Sequence, residues 1–431
     1  MRLLPFVLPF ALTLACTPDA EDSKRPPLPE DDTAGDTDDT DDTDDTDTGG
    51  AVWNYLIYMD GDNDLEDYVT HDLNELEIQG STDDVNVLVI ADRAEGYADD
   101  DGDWTGTRLY KMETDTSDAV SSPVLEELGE LNMADPQTLA DFLSWASTNY
   151  PAEHTALIMW DHGSGWDFTG ETEPEGGAAP PSIAQDDASN GDVMSIAEGE
   201  FQSGMDAWVT DNGRFDVLGF DACNMAGWEV AHAMAPYAMT MTAAETTVGG
   251  EGYRYATILH TLATNPQISA ADLADEMART EVEGGEATHS AIDLDKIQAL
   301  TDAIDDLAIA LIAEEDGGQF AWDLREEILG ADVVWAYYFL DLGSFLEVTG
   351  DARPSIAAEI GAVEQAFSDA VIGNYAIEPY ADASGLNIFF DPREDLWMRA
   401  YSTGAGATWA QDTQWDEYLA GLNVEDVNTV Q

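Results

Sequence analysis

From Ala51 onward, apolar residues form continuous runs of strand length that alternate with stretches of helical periodicity. Four runs are predominantly apolar, at 52–59 (VWNYLIYM), 85–93 (VNVLVIADR), 154–160 (HTALIMW) and 215–220 (FDVLGF). Strands that are buried on both faces have this composition, whereas a half-solvated strand alternates apolar and polar residues. The runs therefore predict a mostly parallel sheet.

Segments with helical spacing of apolar residues lie between these strands, at 65–79, 136–150 and 196–209. A further helix is predicted to run from Cys223 to Ala235. Alternating strands and helices place helices on both faces of a parallel sheet. The pattern after residue 296 is mostly helical. The sequence therefore predicts an α/β sandwich with a largely helical C-terminal portion.

The first residues resemble an export signal. Residues 1–16 combine Arg2, an apolar stretch and LTLAC, which matches a bacterial lipoprotein signal with Cys16 as the acylated residue. Residues 17–50 are acidic and repeat Thr-Asp-Asp, a composition that cannot form a core. We expect a disordered linker there, a catalytic domain at 51–295 and a C-terminal portion at 296–431 that completes the fold.

These features predict an exported protein, anchored by lipid at the bacterial cell surface or in the periplasm, with plain secretion as the alternative. The chain has 14 Lys and Arg against 90 Asp and Glu, a net charge of −76. Because nucleic acids and anionic membranes bind clustered cations, this balance excludes nucleic acid as a partner and leaves the lipid as the only membrane contact. It favours basic ligands and divalent cations.

Two chemically reactive motifs follow buried strands. Asp161-His162-Gly163 follows the strand at 154–160, and Asp221-Ala222-Cys223 follows the strand at 215–220. Active sites of parallel α/β sheets lie at the carboxyl ends of the strands. A cysteine at a helix start has a lowered pKa, and a neighbouring imidazole could protonate a leaving amine. The alternative is a buried structural cysteine and a hydrogen-bonded core histidine.

Backbone groups of the same motifs could stabilise an oxyanion. The absence of a side chain on Gly163 would let a substrate approach its N–H closely, and the N–H of Cys223 could serve as the second donor. The chain contains one other cysteine, Cys16. If Cys16 carries lipid, a disulfide between the two cysteines is excluded.

Four segments resemble the landmarks of one peptidase family, in the same order: WNYLIYMDGDNDLEDYVTHDLNELE, HTALIMWDHGSGW, FDVLGFDACNMAGWEVA and AAETTVGGEGYRY. They resemble the clostripain family of cysteine peptidases, which belongs with the caspases, legumains and gingipains. The resemblance extends from about Trp53 to Leu422. It implies a caspase-like α/β/α sandwich and a cysteine endopeptidase in which His162 and Cys223 form the catalytic dyad.

The resemblance also implies cleavage of protein or peptide substrates after Arg or Lys. Family members recognise the basic side chain with acidic groups, which correspond here to Asp221 and Glu251. A buried guanidinium needs a carboxylate partner, so the chemistry agrees. Alternatively, Asp221 caps the helix that starts at Cys223. A peptidase of the same fold with another specificity stays open, as does the choice between Lys and Arg.

Calcium is the one cofactor that the sequence suggests, without a firm requirement. Asp60, Asp62 and Asp64 space carboxylates as a calcium loop does, although the segment does not match an EF-hand. Capping of the following helix by Asp62 or Asp64 would explain the acids equally well. The histidines are scattered along the chain, and their spacing does not match that of zinc ligands. A non-catalytic calcium-binding surface lipoprotein on a peptidase-like scaffold is therefore the alternative function.

Two positions depart from the family pattern. Relatives are often matured by a self-cut between the His and Cys motifs, but this chain has no Lys or Arg between Lys111 and Arg214. A single-chain enzyme, or a cut elsewhere such as after Arg214, is expected. Asn224 follows the cysteine where the family more often has an apolar residue.

Overall fold

Thirteen strands form one large and two small sheets in the part of the chain that the structure describes. This computed structural model describes residues 50–166, 183–314, 339–390 and 401–421. The strands are β1 (Ala51–Gly61), β2 (Val85–Arg93), β3 (Thr107–Lys111), β4 (Val124–Gly129), β5 (Ala152–Trp160), β6 (Ile183–Asp186), β7 (Asp192–Met194), β8 (Phe215–Asp221), β9 (Ala238–Ala243), β10 (Thr288–Asp293), β11 (Phe339–Asp341), β12 (Val371–Ala376) and β13 (Asn387–Phe389).

Helices connect most of these strands. They are α1 (Glu66–Gln79), α2 (Pro136–Asn149), α3 (Glu200–Asn212), α4 (Trp228–Met234), α5 (Tyr255–Thr264), α6 (Ala270–Gly284), α7 (Ile297–Glu314), α8 (Leu342–Ala352), α9 (Ala357–Ala370), α10 (Trp409–Asp412) and α11 (Trp415–Gly421). No described helix combines the length and the apolar character that crossing a bilayer requires.

Five parallel strands form the centre of the main sheet. Its nine strands have the order β12-β10-β9-β8-β5-β1-β2-β3-β4. Strands β2, β1, β5, β8 and β9 pair in parallel. Antiparallel pairs extend the sheet on both sides, through β10 and β12 at one end and β3 and β4 at the other. The α/β fold predicted from the apolar runs is confirmed.

Helices cover both faces of this sheet and create two apolar cores. One core includes Val69 and Leu73 of α1 together with residues of α5 and α6. The other includes Leu139 and Phe142 of α2 together with residues of α3, α4 and α7. Each of these four side chains is at most 3% exposed. Burial of such a side chain stabilises the fold by about 1.5–3 kcal/mol, so both layers of helices are held firmly.

The helix predicted to start at Cys223 starts later. Helix α4 begins at Trp228, after Gly227 as its N-cap. The intervening residues form a turn that bonds to the neighbouring segment: Asn224 N donates to Thr246 O (2.8 Å) and Ala226 N to Ala244 O (2.9 Å). These tertiary backbone bonds replace helical ones. The prediction that a helix N-terminus lies at Cys223 is therefore wrong.

The segment 107–113 (TRLYKME) has an alternating pattern that predicts an edge or hairpin strand. Its first five residues form β3, which pairs on both sides and is therefore not an edge strand. The edge strand is β4, which is largely exposed. Its mixture of exposed apolar and acidic residues lacks the buried pattern on which the strand predictions depend.

The C-terminal portion is helical as predicted, and it also contributes β12 to the main sheet. Helices α7 and α9 pack against each other, with Leu300, Ile304 and Val363 in the larger core. A helix predicted at 320–329 lies outside the described residues, as do the predicted signal peptide 1–16 with Cys16 and nearly all of the linker 17–50.

Candidate active site

Strand register brings His162 and Cys223 to the same place on the sheet. Trp160, the last residue of β5, pairs with Asp221, the last residue of β8. His162 and Cys223 each lie two residues beyond this pair. Neighbouring strands are about 4.8 Å apart, so equal offsets from paired residues keep the two motifs side by side.

Gly163 contacts the cysteine backbone directly. A Cβ atom on Gly163 would lie 2.5 Å from Cys223 O, 3.1 Å from Cys223 N and 3.0 Å from Ala222 Cβ. Only glycine fits this contact without displacing backbone. The two residues predicted to donate to an oxyanion, Gly163 and Cys223, therefore lie next to each other.

We expect Gly163→Ala to impair both folding and any chemistry at this site. The new methyl group must displace the backbone of Cys223, and such overpacking costs about 1–3 kcal/mol of unfolding free energy. Gly361→Ala in α9 is the matched control, because a Cβ atom there meets nothing within 4 Å. Chemical denaturation should show destabilisation at Gly163 and no loss of stability at Gly361. Equal midpoints for both variants would contradict the close contact.

Cys223 is buried among backbone groups of the loop that follows β9. It is 3% exposed and packs with Ala244 and Val248. The N–H of Val248 donates to Sγ at 3.3 Å. Because α4 starts five residues later, its N-terminal potential does not act at the sulfur. Hydrogen bonding by Val248 and the positive charge of a protonated His162 are the groups available to stabilise a thiolate.

The thiolate is the reactive form of cysteine. Any chemistry at Cys223 therefore requires the reduced residue, and assays of this protein need a thiol reductant.

Asn224 adopts the left-handed backbone conformation, with φ of 60°. Asparagine tolerates this region far better than a bulky apolar residue does. Its local backbone conformation therefore accounts for this departure from the family pattern.

His162 is 8% exposed and forms a hydrogen bond with Asp64. Its Nε2 lies 2.7 Å from Asp64 Oδ1. Burial favours the neutral imidazole, but the hydrogen bond to Asp64 and the negative charge of Asp161 outweigh it, so the pKa of His162 is raised. The same hydrogen bond lowers the pKa of Asp64. The imidazole is thus poised to hold a proton that it can donate.

Asp161 fixes the turn that carries His162. Its Oδ1 accepts from Asn63 Nδ2 at 2.7 Å, and its Oδ2 accepts from the backbone N–H of Gln185. Burial raises the pKa of Asp161 to about 7, although the charge of His162 opposes the shift. Segments from β1, β5 and β6 therefore meet at the histidine.

Asp221 lies below the glycine-rich loop that faces Cys223. Its Oδ2 accepts from Tyr253 N at 3.0 Å and from Tyr255 Oη at 2.8 Å. Burial, together with the charge of Asp72, raises the pKa of Asp221 well above its usual range. Because α4 starts at Trp228, the alternative in which Asp221 caps a helix at Cys223 is wrong.

A cleft connects the cysteine with this carboxylate. Its lining includes Leu65, Trp160, Asp221, Cys223 and three glycines of the following loop, Gly249, Gly250 and Gly252. A Cβ on Gly252 would lie 2.6 Å from Asp221 Oδ2. Glycine therefore leaves the carboxylate accessible from the cleft.

Glu251, the second predicted pocket acid, lies at the rim rather than among the lining residues. Its side chain is 52% exposed, and its carboxylate is 3.7 Å from His71 Nε2. Glu286 was missed by the sequence analysis; its Oε2 accepts from Gly249 N at 3.0 Å and so supports the loop. The sequence did not indicate this contact, because Glu286 lies beyond the four segments that resemble the peptidase family.

The three predicted metal ligands have different surroundings. Asp62 lies with Asp186 and Glu130, one carboxylate oxygen of each being within 4.8 Å of the others. Asp60 is fully buried, and its Oδ2 has no hydrogen-bond partner in the described part of the chain. Asp64 contacts His162 instead. Helix α1 has Leu65 as N-cap without a side-chain cap, so capping by Asp62 or Asp64 is also wrong.

Comparison with known proteins shows which family has this arrangement. The model of the clostripain family (Peptidase C11) matches residues 57–421. The chain belongs to the clostripain family. It is 27% identical to clostripain of Hathewaya histolytica over 304 residues, which are 60% of this chain and 56% of that protein. The match thus spans about half the length of the curated relative.

Solved structures of C11 proteases share the fold. An inactive zymogen C11 protease from Parabacteroides distasonis superimposes with a TM-score of 0.60 at 20% identity, covering 86% of this chain and 98% of that one. A secreted C11 cysteine protease from Bacteroides thetaiotaomicron, in complex with an irreversible peptide inhibitor, gives 0.61 at 19% identity, covering 85% and 100%. The C11 protease-like fold implied by the sequence motifs is confirmed.

Proposed function

We propose that this clostripain-family protein is an exported cysteine endopeptidase that hydrolyses peptide bonds after Arg or Lys. The observation that carries the proposal is the equal offset of His162 and Cys223 from the Trp160–Asp221 pair, with a cleft leading from the sulfur to a buried carboxylate. Family membership implies protein or peptide substrates. Anchoring through Cys16 at the cell surface is part of the same proposal.

In this mechanism the Cys223 thiolate attacks the carbonyl carbon of the substrate, and the carbonyl electrons move to oxygen. The N–H groups of Gly163 and Cys223 donate to this oxyanion. Collapse of the intermediate breaks the C–N bond, and protonated His162 gives its proton to the leaving amine. Water then hydrolyses the thioester, releasing the carboxyl product and regenerating the cysteine.

The basic side chain of the substrate would enter the cleft and reach Asp221. The space open to a ligand there is about 20 Å³, roughly one water molecule in size. A guanidinium therefore requires the loop with Gly249, Gly250 and Gly252 to move outward. Its glycines give that loop the backbone freedom to do so. Glu251 at the rim would attract the cation before it enters.

The test is hydrolysis of fluorogenic peptides that differ only in the residue before the cut. The chain from Ala51 is assayed in thiol reductant, with and without calcium. We expect cleavage after Arg and Lys, and turnover at least about 100-fold lower after Asp, because like charges repel in the cleft. Cleavage after Asp or Leu in preference to Arg and Lys would refute the assigned specificity.

Calcium binding remains a prediction, and the carboxylates of Asp62, Asp186 and Glu130 are the observation in its favour. The alternative, a non-catalytic calcium-binding protein, predicts a folded protein without peptidase activity. It also predicts a higher melting temperature in calcium than in chelator. Melting temperatures in calcium and in chelator, measured beside the peptide assay, separate these outcomes.

A self-cut after Arg214 is disfavoured by its surroundings. The guanidinium donates to Ala235 O (3.3 Å) and Ala238 O (3.2 Å) and pairs with Asp295 (2.8 Å). The next residue, Phe215, begins β8 and donates to Tyr237 O. A protease must bind the bond in an extended, accessible strand, so we propose that the enzyme works as a single chain.

A further inference from the structure

Asp64 is a neighbour of His162 that the proposed dyad does not use. The two residues are 98 positions apart in the chain, yet Asp64 Oδ1 lies 2.7 Å from His162 Nε2. The ring is nearly buried, whereas the Asp64 side chain is 54% exposed. An ionised carboxylate only accepts hydrogen bonds, so this contact places a proton on Nε2.

The loop that carries Asp64 is held rigidly despite that exposure. Asn63 Nδ2 donates to Asp161 Oδ1 (2.7 Å) and to Gln185 O (2.9 Å), and Leu65 N donates to Asn63 Oδ1 (2.8 Å).

The residue before Asn63 is held as well: the backbone N–H of Asp187 donates to Asp62 O at 2.8 Å, and that of Ala188 to Asp62 Oδ2 at 3.1 Å. Asp62 and Asn63, the two residues that precede Asp64, are therefore both tied to the segments around His162. The carboxylate is presented to the ring by buried residues and needs no rearrangement to reach it.

Other charges face the imidazole without orienting it. Asp161 and Asp187 add negative potential at His162. The Asp161 oxygens accept from Asn63 and Gln185. Among the described residues, Asp64 is the carboxylate with a hydrogen bond to a ring nitrogen of His162. Its hydrogen bond selects the tautomer and the ring rotamer.

We propose that Asp64 is a positioning residue that completes a Cys223–His162–Asp64 arrangement. By binding the Nε2 proton it leaves Nδ1 as the nitrogen that exchanges a proton with the thiol and the leaving amine. It also stabilises the imidazolium that forms when the thiol ionises. This inference rests on the proposed function, since it assigns His162 the role of proton donor.

The test compares Asp64→Asn, Asp64→Glu and the control Asp67→Asn. Asp67 is exposed at the start of α1, three residues after Asp64, and Asp67→Asn removes the same charge. We expect Asp64→Asn to lower kcat by about 10- to 100-fold. This is less than the roughly 10²- to 10⁴-fold effect of a group that itself transfers the proton, because Asp64 acts through His162 and its carboxylate is half exposed. The Michaelis constant should change by less than about twofold, since Asp64 does not face the basic side chain.

Partial recovery of kcat in Asp64→Glu supports a carboxylate function. Wild-type kcat in Asp64→Asn, or equal losses in Asp64→Asn and Asp67→Asn, would overturn the proposal. A loss of kcat that Asp64→Glu does not relieve, and that parallels a lower melting temperature in the same variants, would also overturn it.

A substrate-independent measurement separates this inference from the peptidase proposal. The rate of Cys223 alkylation by iodoacetamide in reduced protein reports thiolate reactivity, whether or not any peptide is cleaved. We expect Asp64→Asn to slow alkylation at neutral pH by about tenfold relative to Asp67→Asn, because a misoriented imidazole supports the thiolate less. Equal alkylation rates overturn the role of Asp64, even if the wild-type protein cleaves every basic peptide offered.

Discussion

Cys223→Ala should lower kcat for a basic fluorogenic peptide by about 10⁵-fold or more, because removal of a nucleophile leaves only binding and oxyanion stabilisation. His162→Ala should cause a loss of similar order, since the two residues act as a unit and their effects are not additive. The measurement is single-substrate kinetics of reduced, purified protein. Combining both changes should add little to either one.

The matched control is His260→Ala in α5. His260 is half-buried and contacts Gln79 at 3.3 Å, away from the cleft. The kcat of His260→Ala should stay within about twofold of the wild-type value, as is usual for a change that removes no transition-state contact. More than about 1% residual activity in Cys223→Ala, with contaminating protease excluded, would contradict the nucleophile assignment.

Asp221→Asn should lower kcat/KM for Arg and Lys peptides by about 30- to 1,000-fold, because loss of a buried partner for a charged group costs about 2–4 kcal/mol. The side-chain shape is retained, and the amide oxygen still accepts from Tyr253 N. The kcat/KM for peptides with a neutral residue before the cut should change little. The decisive quantity is the ratio of kcat/KM values for basic and neutral peptides.

Asp216→Asn is the control, because Asp216 is buried at the opposite end of β8 and bonds His154 and Thr155. Weakening these bonds lowers stability, yet the basic-to-neutral ratio of this variant should equal that of the wild type. An unchanged ratio in Asp221→Asn would move the specificity to another acid, and Glu251 would be the next residue to test.

Binding at Asp221 should also depend on pH with a defined sign. Burial, then the charge of Asp72, raises the pKa of this carboxyl in the free protein. A cation in the cleft lowers that pKa, so binding releases a proton and becomes tighter as pH rises. The Michaelis constant for an Arg peptide should therefore fall from mildly acidic to mildly alkaline pH. Asp221→Asn should lose this dependence.

Local sequence patterns predicted the parts of the site that depend on single strands. The runs at 154–160 and 215–220 are apolar because both strand faces are buried, and each run ends directly before a reactive motif. The predicted helix start at Cys223 was wrong. The residues after Cys223 have an apolar spacing that fits a helix, which led to the prediction. Backbone bonds to Ala244 and Thr246, which no local pattern reports, hold them in another conformation.

Contacts between distant segments supplied the rest. Asp64 was recognised as one of a group of acids, but its bond to His162 depends on how β1 and β5 align. Tyr253 and Tyr255 lie within a quoted motif, yet only the folded chain shows that they hold Asp221. Strand β4 was not predicted, because its exposed side chains do not form the apolar run that indicates a buried strand.

The equal offset of the two reactive residues from one strand pair has an evolutionary consequence. Their separation is inherited from the hydrogen-bonding of β5 with β8 and owes nothing to the length of the connection between Trp166 and Ile183. Descendants of such a chain are free to acquire inserts, deletions or processing signals in that connection while the reactive pair stays in register. Diversification of control over the enzyme is thereby decoupled from its chemistry.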